Sequence, residues 1–312
     1  VTCPRTSLWL GLALGAALGV AGAQSRRVAI TIDDLPVAQS GADACAIERL
    51  EPHTQRLLAP FIERKVPLTA FVIGGQCLET SREDRRRVLE LWRAAGAEIG
   101  NHSHTHQSFS RTPAEEYEAD ILRADKALRE LTGKPLRYFR SPMLHTGATP
   151  EDRDRLRAFL PRHGYQQAPV TFDNADWMFS YVLAHAIAKG DRELEQRIED
   201  AYVPYIESVV AFFEKRSVEV VGREPAQIHL MHSNVLNARK SDELLAMFER
   251  RGYRFISLEE ALEDPAYALP NNYAQANGIS WLHRWSMTQG MPNSGEPDPP
   301  AWLSDLYAET QR

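Results

Sequence analysis

The chain has 312 residues, of which 43% are hydrophobic and 25% charged, and its net charge is -6. That length suits one large domain or two small ones, and the composition excludes a disordered or fibrous chain. The acidic balance gives no electrostatic footing for nucleic acid or an anionic membrane as partner.

At the start, Arg5 precedes an apolar run from Leu8 to Val20, and Ala21-Gly22-Ala23 offers small residues for cleavage before Gln24. This pattern predicts a signal peptide over 1–23, with an uncleaved N-terminal anchor as the competing reading. The run is short for a membrane span. The mature protein is therefore expected to be exported, periplasmic or extracellular, with no span left after cleavage. Loss of the leader removes Cys3 and leaves Cys45 and Cys77 in an oxidising compartment. A disulfide and two buried free thiols both stay open for that pair.

The stretch Val28 to Pro36 reads as a buried strand that runs into two adjacent acids, Asp33 and Asp34, and then a Leu-Pro turn. Neighbouring side chains on an extended segment diverge, so the two carboxylates can hold different jobs. A helix is expected from Ile47 to Arg64, then a strand from Thr69 to Ile73 ended by Gly74-Gly75. Ser81 with Asp84 signals the cap of a helix reaching Ala95. A short strand at Ala97 to Ile99 and a helix from Pro113 to Leu131 follow. Strand four is Arg137 to Phe139, the next helix Pro150 to His163, and strand five Gln167 to Phe172. Asp191 to Arg216 is helical, Gln227 to Met231 a strand, Arg239 to Arg251 a helix. Tyr253 to Ile256 and Leu258 to Leu262 close the pattern as strand and helix. Alternation of this kind predicts a parallel α/β sheet. It either closes into a barrel or stays an open doubly wound sheet. Beyond Asp264 no period is evident, and Trp281, Trp285 and Trp302 suit an irregular extension that packs on the barrel or rims a groove, with packing the favoured reading.

Chemistry gathers at the predicted strand ends. The third strand runs into His102, His104 and His106, and a helical turn there would put His102 and His106 on one side. Two imidazoles and one carboxylate, Asp34, make a facial metal set with open positions. His104 could replace either partner if the segment stays extended. Arg140 ends strand four. Asp173, Asp176 and Trp177 end strand five, and His232 ends the strand at Gln227. In a parallel barrel all these ends share one face, where active sites sit.

These motifs resemble those of the polysaccharide deacetylases, the NodB-like family of carbohydrate esterases (family 4). Thr31-Ile-Asp-Asp-Leu-Pro36 is similar to the family's Thr-Phe-Asp-Asp-Gly-Pro, and His102-Ser-His-Thr-His106 to its His-Ser/Thr-x-x-His. Arg140-Ser-Pro-Met143 is similar to Arg-x-Pro-Tyr, Asp173 to Trp177 to Asp-x-x-Asp-Trp, and Leu230-Met-His232 to Leu-x-His. The motifs keep the family's order from Thr31 to His232. The resemblance implies a distorted (β/α)7 barrel as the catalytic domain over 24–264, to whose short family core a helical insert from Ser180 to Ala226 and an extension over 265–312 are extra. It implies a metal, Zn2+ or another divalent ion such as Co2+, held by Asp34, His102 and His106. It implies Asp33 as general base, Arg140 as the group orienting it, and His232 as general acid. One of Asp173 and Asp176 would hold His232 protonated, without the sequence saying which. Met143 would offer its backbone N–H to the oxyanion, and Trp177 would wall the groove.

The implied activity is removal of N-acetyl groups from an amino-sugar chain, peptidoglycan- or chitin-like, so the expected partner is a glycan. Leu35 and Met143 depart from the family pattern and are expected to line the site's mouth. They keep open an O-acetyl esterase, or an amidase or imidase on a small non-sugar molecule. A non-catalytic glycan-binding relative would lack Asp33, Arg140 or His232, and all three are present. Asn234 and Asn237 are candidates for sugar hydroxyls, with loop capping as the equal alternative.

Overall fold

The computed structural model describes residues 26–38 and 43–311. The predicted leader at 1–23 lies outside the described residues.

The sheet is organised around β1 (Arg26–Leu35), whose apolar residues are buried on both faces. That is why its apolar run is continuous rather than alternating. Next to it lie β2 (Leu68–Val72), β3 (Glu98–Asn101), β4 (Tyr138–Phe139) and β5 (Gln166–Gln167), each parallel to its neighbour. On the other side β6 (Gln227–His232) pairs with β1 from Val28 to Asp33, and β7 (Tyr253–Ile256) pairs with the first residues of β1. Phe172, beyond β5, bridges to His229 of β6 and closes the circuit. The result is the distorted parallel β/α barrel, not the open sheet.

Strand five is shorter than its pattern predicts. Gln167 to Phe172 was expected, but only Gln166–Gln167 pairs with β4, and the chain then crosses to β6. Pro169 sits at the crossing and has no N–H for a ladder.

The helices α1 (Ile47–Arg64), α2 (Arg82–Ala94), α3 (Ala114–Thr132) and α4 (Pro150–Arg162) follow their patterns closely. Ser81 accepts the Asp84 N–H at 3.0 Å, as its position predicts. A helix that the pattern does not signal, α5 (Asp176–Lys189), starts at the Asp-Trp motif. It is apolar nearly all round, so no amphipathic stripe marks it. Then α6 (Arg192–Val221) runs on past Arg216 to Gly222, and α7 (Val235–Arg250) begins four residues before the expected Arg239. After β7 comes α8 (Leu258–Leu262).

The extension is not irregular throughout. It holds α9 (Trp281–Thr288) and α10 (Ala301–Thr310). Most of α9 is buried on every side, which erases the period by which a surface helix is read. It is pinned to the barrel where the Trp281 N–H donates to the Val170 carbonyl at 2.7 Å and the Ser280 hydroxyl to the Thr171 carbonyl at 2.6 Å. Cys45 and Cys77 form a disulfide between the chain after β1 and the chain after β2.

Candidate metal centre and active site

Asp33 is the last residue of β1 in register with β6, opposite His232. Asp34 turns into the left-handed region (φ 62°), which swings its carboxylate away from that of Asp33. Ser103, His106, Met143 and Leu144 share that conformation. Four of these five, all but Ser103, line one cavity, which marks a site where packing holds the backbone in sparsely populated geometry.

His102 follows β3 directly. Its Nδ1 lies 2.7 Å from the Arg140 carbonyl oxygen, which can only accept, so Nδ1 carries the proton. The lone pair is thereby on Nε2, 3.3 Å from Asp34 Oδ1. His106 Nε2 lies 3.2 Å from the same oxygen. Asp34 Oδ1 is buried and makes no hydrogen bond. Three ligand atoms within 4.8 Å of one another, one of them an orphaned carboxylate oxygen, fit a divalent cation with positions to spare. The expected set of Asp34, His102 and His106 is brought together by the fold.

His104 is not an alternative ligand. It packs against Gly75, where an added Cβ would lie 2.5 Å from the His104 carbonyl oxygen. The loop is tied down by Asp120 of α3, whose carboxylate accepts the N–H of His104 at 2.9 Å, the N–H of Thr105 at 3.0 Å and the Thr105 hydroxyl at 3.0 Å. Sequence reasoning missed Asp120. The available signal was an acid on the apolar stripe of α3, beside Ile121 and Ala124.

The Arg140 guanidinium is fully buried and reaches both oxygens of Asp33, at 3.4 and 3.3 Å. Its other N–H groups go to the Thr31 hydroxyl at 3.0 Å and the Ala168 carbonyl at 3.0 Å, and its plane lies over Phe71. A buried carboxylate so paired is fixed in place and oriented.

Of the two downstream acids, Asp176 is the partner of His232. Its Oδ1 lies 2.6 Å from His232 Nδ1, and its Oδ2 accepts the His232 backbone N–H at 2.9 Å. Burial opposes the imidazolium charge, but Asp176 outweighs it and the His232 pKa is pushed up to about 10. Asp173 does not hold His232. It lines the cavity beside it, and burial pushes its carboxyl up to about 7.

Asn237 is buried and donates to Asp176 Oδ2 at 2.7 Å, while the Tyr202 hydroxyl donates to Asn237 at 2.6 Å. Asn234 is buried too and caps α7 by accepting the Asn237 N–H at 2.8 Å. Asn237 supports His232 through Asp176 and is sealed from a sugar, whereas Asn234, which caps α7, also borders a cavity beside His232. Leu35 is likewise corrected. It is 1% exposed, in the core, and does not reach the mouth, because β1 continues through it and turns its side chain inward. Met143 does line the mouth, 46% exposed, with Trp177 across from it.

The cavity that these groups share measures about 410 Å³. One wall comes from the extension. Gly278 lies so close to the Met143 carbonyl that a Cβ there would come within 1.8 Å of its oxygen. Arg284 of α9 is 0% exposed and donates to the Leu144 carbonyl at 2.6 Å and the Thr146 hydroxyl at 2.8 Å, with Trp281 stacked on its guanidinium. This clamp on the Met143 turn was also missed, since Arg284 lies far down the chain with no motif around it.

The family model described as polysaccharide deacetylase matches residues 21–167. A chitooligosaccharide deacetylase of Sinorhizobium fredii is 31% identical over 90 residues, covering 28% of this chain and 40% of that protein. A chitooligosaccharide deacetylase of a Bradyrhizobium strain is 32% identical over 119 residues, covering 38% and 46%. The chain thus spans less than half the length of the curated relatives it matches. Among solved structures, a mutant of BA3943, a CE4 family pseudoenzyme from Bacillus anthracis, is similar with a TM-score of 0.50 and 19% identity. That match covers 76% of this chain and 67% of the other, and it bears on the fold alone.

Proposed function

This chain belongs to the NodB-like polysaccharide deacetylase family, and from that premise we propose that it removes N-acetyl groups from amino-sugar oligomers or polymers, chitin- or peptidoglycan-like, as an exported metal-dependent hydrolase. The observation that carries the reading is the convergence in one cavity of Asp34, His102 and His106 with the Asp33–Arg140 and His232–Asp176 pairs on either side.

Each pair has a distinct task. Asp33, aimed by Arg140, accepts the proton of the attacking water. His232, charged through Asp176, donates a proton to the leaving amine nitrogen. Asp34, His102 and His106 would hold a divalent ion, zinc or cobalt in our reading, which would supply Lewis acidity there. The Met143 turn, held from behind by Arg284, offers backbone to the developing oxyanion. Trp177 gives the sugar an apolar wall. The Cys45–Cys77 disulfide supports export to an oxidising compartment.

Retention of both proton-handling pairs argues against a purely binding relative. The exposed Met143 favours one second reading, hydrolysis of another acyl substrate such as an O-acetyl ester or a small amide. Acetate release measured across N-acetylglucosamine oligomers, acetyl esters and small amides, with bound metal quantified in the same preparation, tests the proposal. Release from the oligomers supports it, and turnover confined to esters or small amides replaces it with the second reading.

A further inference from the structure

A second cavity, also about 410 Å³, opens beside the first and shares Asp34, Trp177 and His232 with it. The two form one continuous trough. The outer part follows α5, with Tyr181 and His185 succeeding Trp177 at four-residue intervals. That spacing puts them on one helix face, about 6 Å apart along the axis.

Trp177 and Tyr181 are each 45% exposed, an unusual state for two large aromatic side chains in a row. They are also braced from one side. Tyr307 of α10 packs edge-on against both, with ring centroids 5.4 and 5.2 Å away. α10 is itself anchored by the fully buried Leu303 and by Arg197 stacked on Trp302. The extension thus builds a rigid aromatic ladder and leaves it open to solvent. Among the described residues no lysine or arginine lines this trough, which does not favour an anionic ligand. Aromatic faces with a hydroxyl (Ser180) and an imidazole (His185) alongside suit the C–H faces and hydroxyls of neutral pyranose rings.

We propose that the Tyr181–His185 part of this α5 face, past Trp177, is a subsite for a sugar residue beyond the second of the same chain whose acetyl group enters the catalytic cavity, making the protein selective for oligomers longer than the dimer. The inference rests on the deacetylase reading and deepens it.

The test uses the metal-loaded full chain with N-acetylglucosamine dimer and tetramer, comparing wild type with Tyr181→Ala and Tyr181→Phe. Two readouts are taken: acetate release, and oligomer binding followed by tryptophan fluorescence. The expected result is a tetramer-to-dimer ratio of kcat/KM that falls about fivefold in Tyr181→Ala, the scale of one aromatic contact, carried by KM and restored in Tyr181→Phe. Equal loss on both substrates would mean that Tyr181 only supports Tyr307 and would overturn the subsite. A wild type without length preference would overturn it as well. Tyr181-dependent tetramer binding without acetate release from any oligomer would keep the subsite and refute the deacetylase reading. Absence of oligomer binding would refute the subsite.

Discussion

Asp33 and His232 are register partners on adjacent parallel strands, β1 and β6. The pairing that closes this part of the barrel therefore also sets the separation of the two proton-handling groups. Each is then held by its own buried partner, Asp33 by Arg140 and His232 by Asp176. A base and an acid, each held by its own neighbour, is the arrangement that lets one site take a proton and return it.

Replacing the base leaves the ligand set intact. Asp33→Asn should lower kcat by about 10²–10⁴-fold, the span of a positioned general base, with metal content unchanged. Metal stoichiometry and kcat measured on one preparation check this. Loss of the metal would instead assign Asp33 to the ligand set.

Removing the ion should be reversible. Dialysis against a chelator should abolish acetate release, and zinc or cobalt should restore it. His106→Gln should weaken zinc binding by more than about 100-fold, beyond the range that an outer partner controls, as read by competition with a chromogenic chelator.

The pH dependence follows from the His232–Asp176 pair. Asp176→Asn removes the charge that raises the His232 pKa, so the alkaline limb of the kcat profile should move to lower pH. Stability follows the same sign. The folded pKa of about 10 exceeds the unfolded value, so this stabilisation is fully present below about pH 6.5 and is lost as pH rises towards 10. The stability deficit of Asp176→Asn relative to wild type, measured by urea unfolding, should therefore shrink across that window.

The Met143 turn should depend on a residue that never meets substrate. Arg284→Met conserves bulk but leaves the Leu144 and Ile279 carbonyls without their donor. Stability should fall by about 2–4 kcal/mol, the scale of two or so buried acceptors left unpaired. Well below the variant's unfolding temperature, kcat should still be reduced with metal binding unchanged. Arg284→Lys should not rescue it, because a single ammonium cannot span both sides of the fork. Full kcat at low temperature would reduce Arg284 to a purely structural role.

The sites differ in how legible they were before folding. Asp33-Asp34 and His102 to His106 stand out because each motif is local and comes straight after a strand. Asp176 could not be chosen over Asp173 from spacing, since both lie within one turn of the same segment. The choice depends on where α5 starts and which carboxylate then faces β6. Asn234 and Asn237 sit in a polar stretch, yet both are buried once α7 begins at Val235, Asn237 behind Asp176 and Asn234 at the edge of the cavity beside His232.

By itself the sequence determined the α/β alternation, the strand ends that carry chemistry and the ligand and proton-handling residue types. Those are properties of short windows, where periodicity and side-chain chemistry suffice. Only the tertiary structure decided which acid serves His232, that Asp120 ties down the histidine loop, that Cys45 meets Cys77, and that the last forty-odd residues wall the site through Gly278, Arg284 and Tyr307. Each of these contacts joins residues that different elements carry, and buried helices such as α9 show no period to announce them.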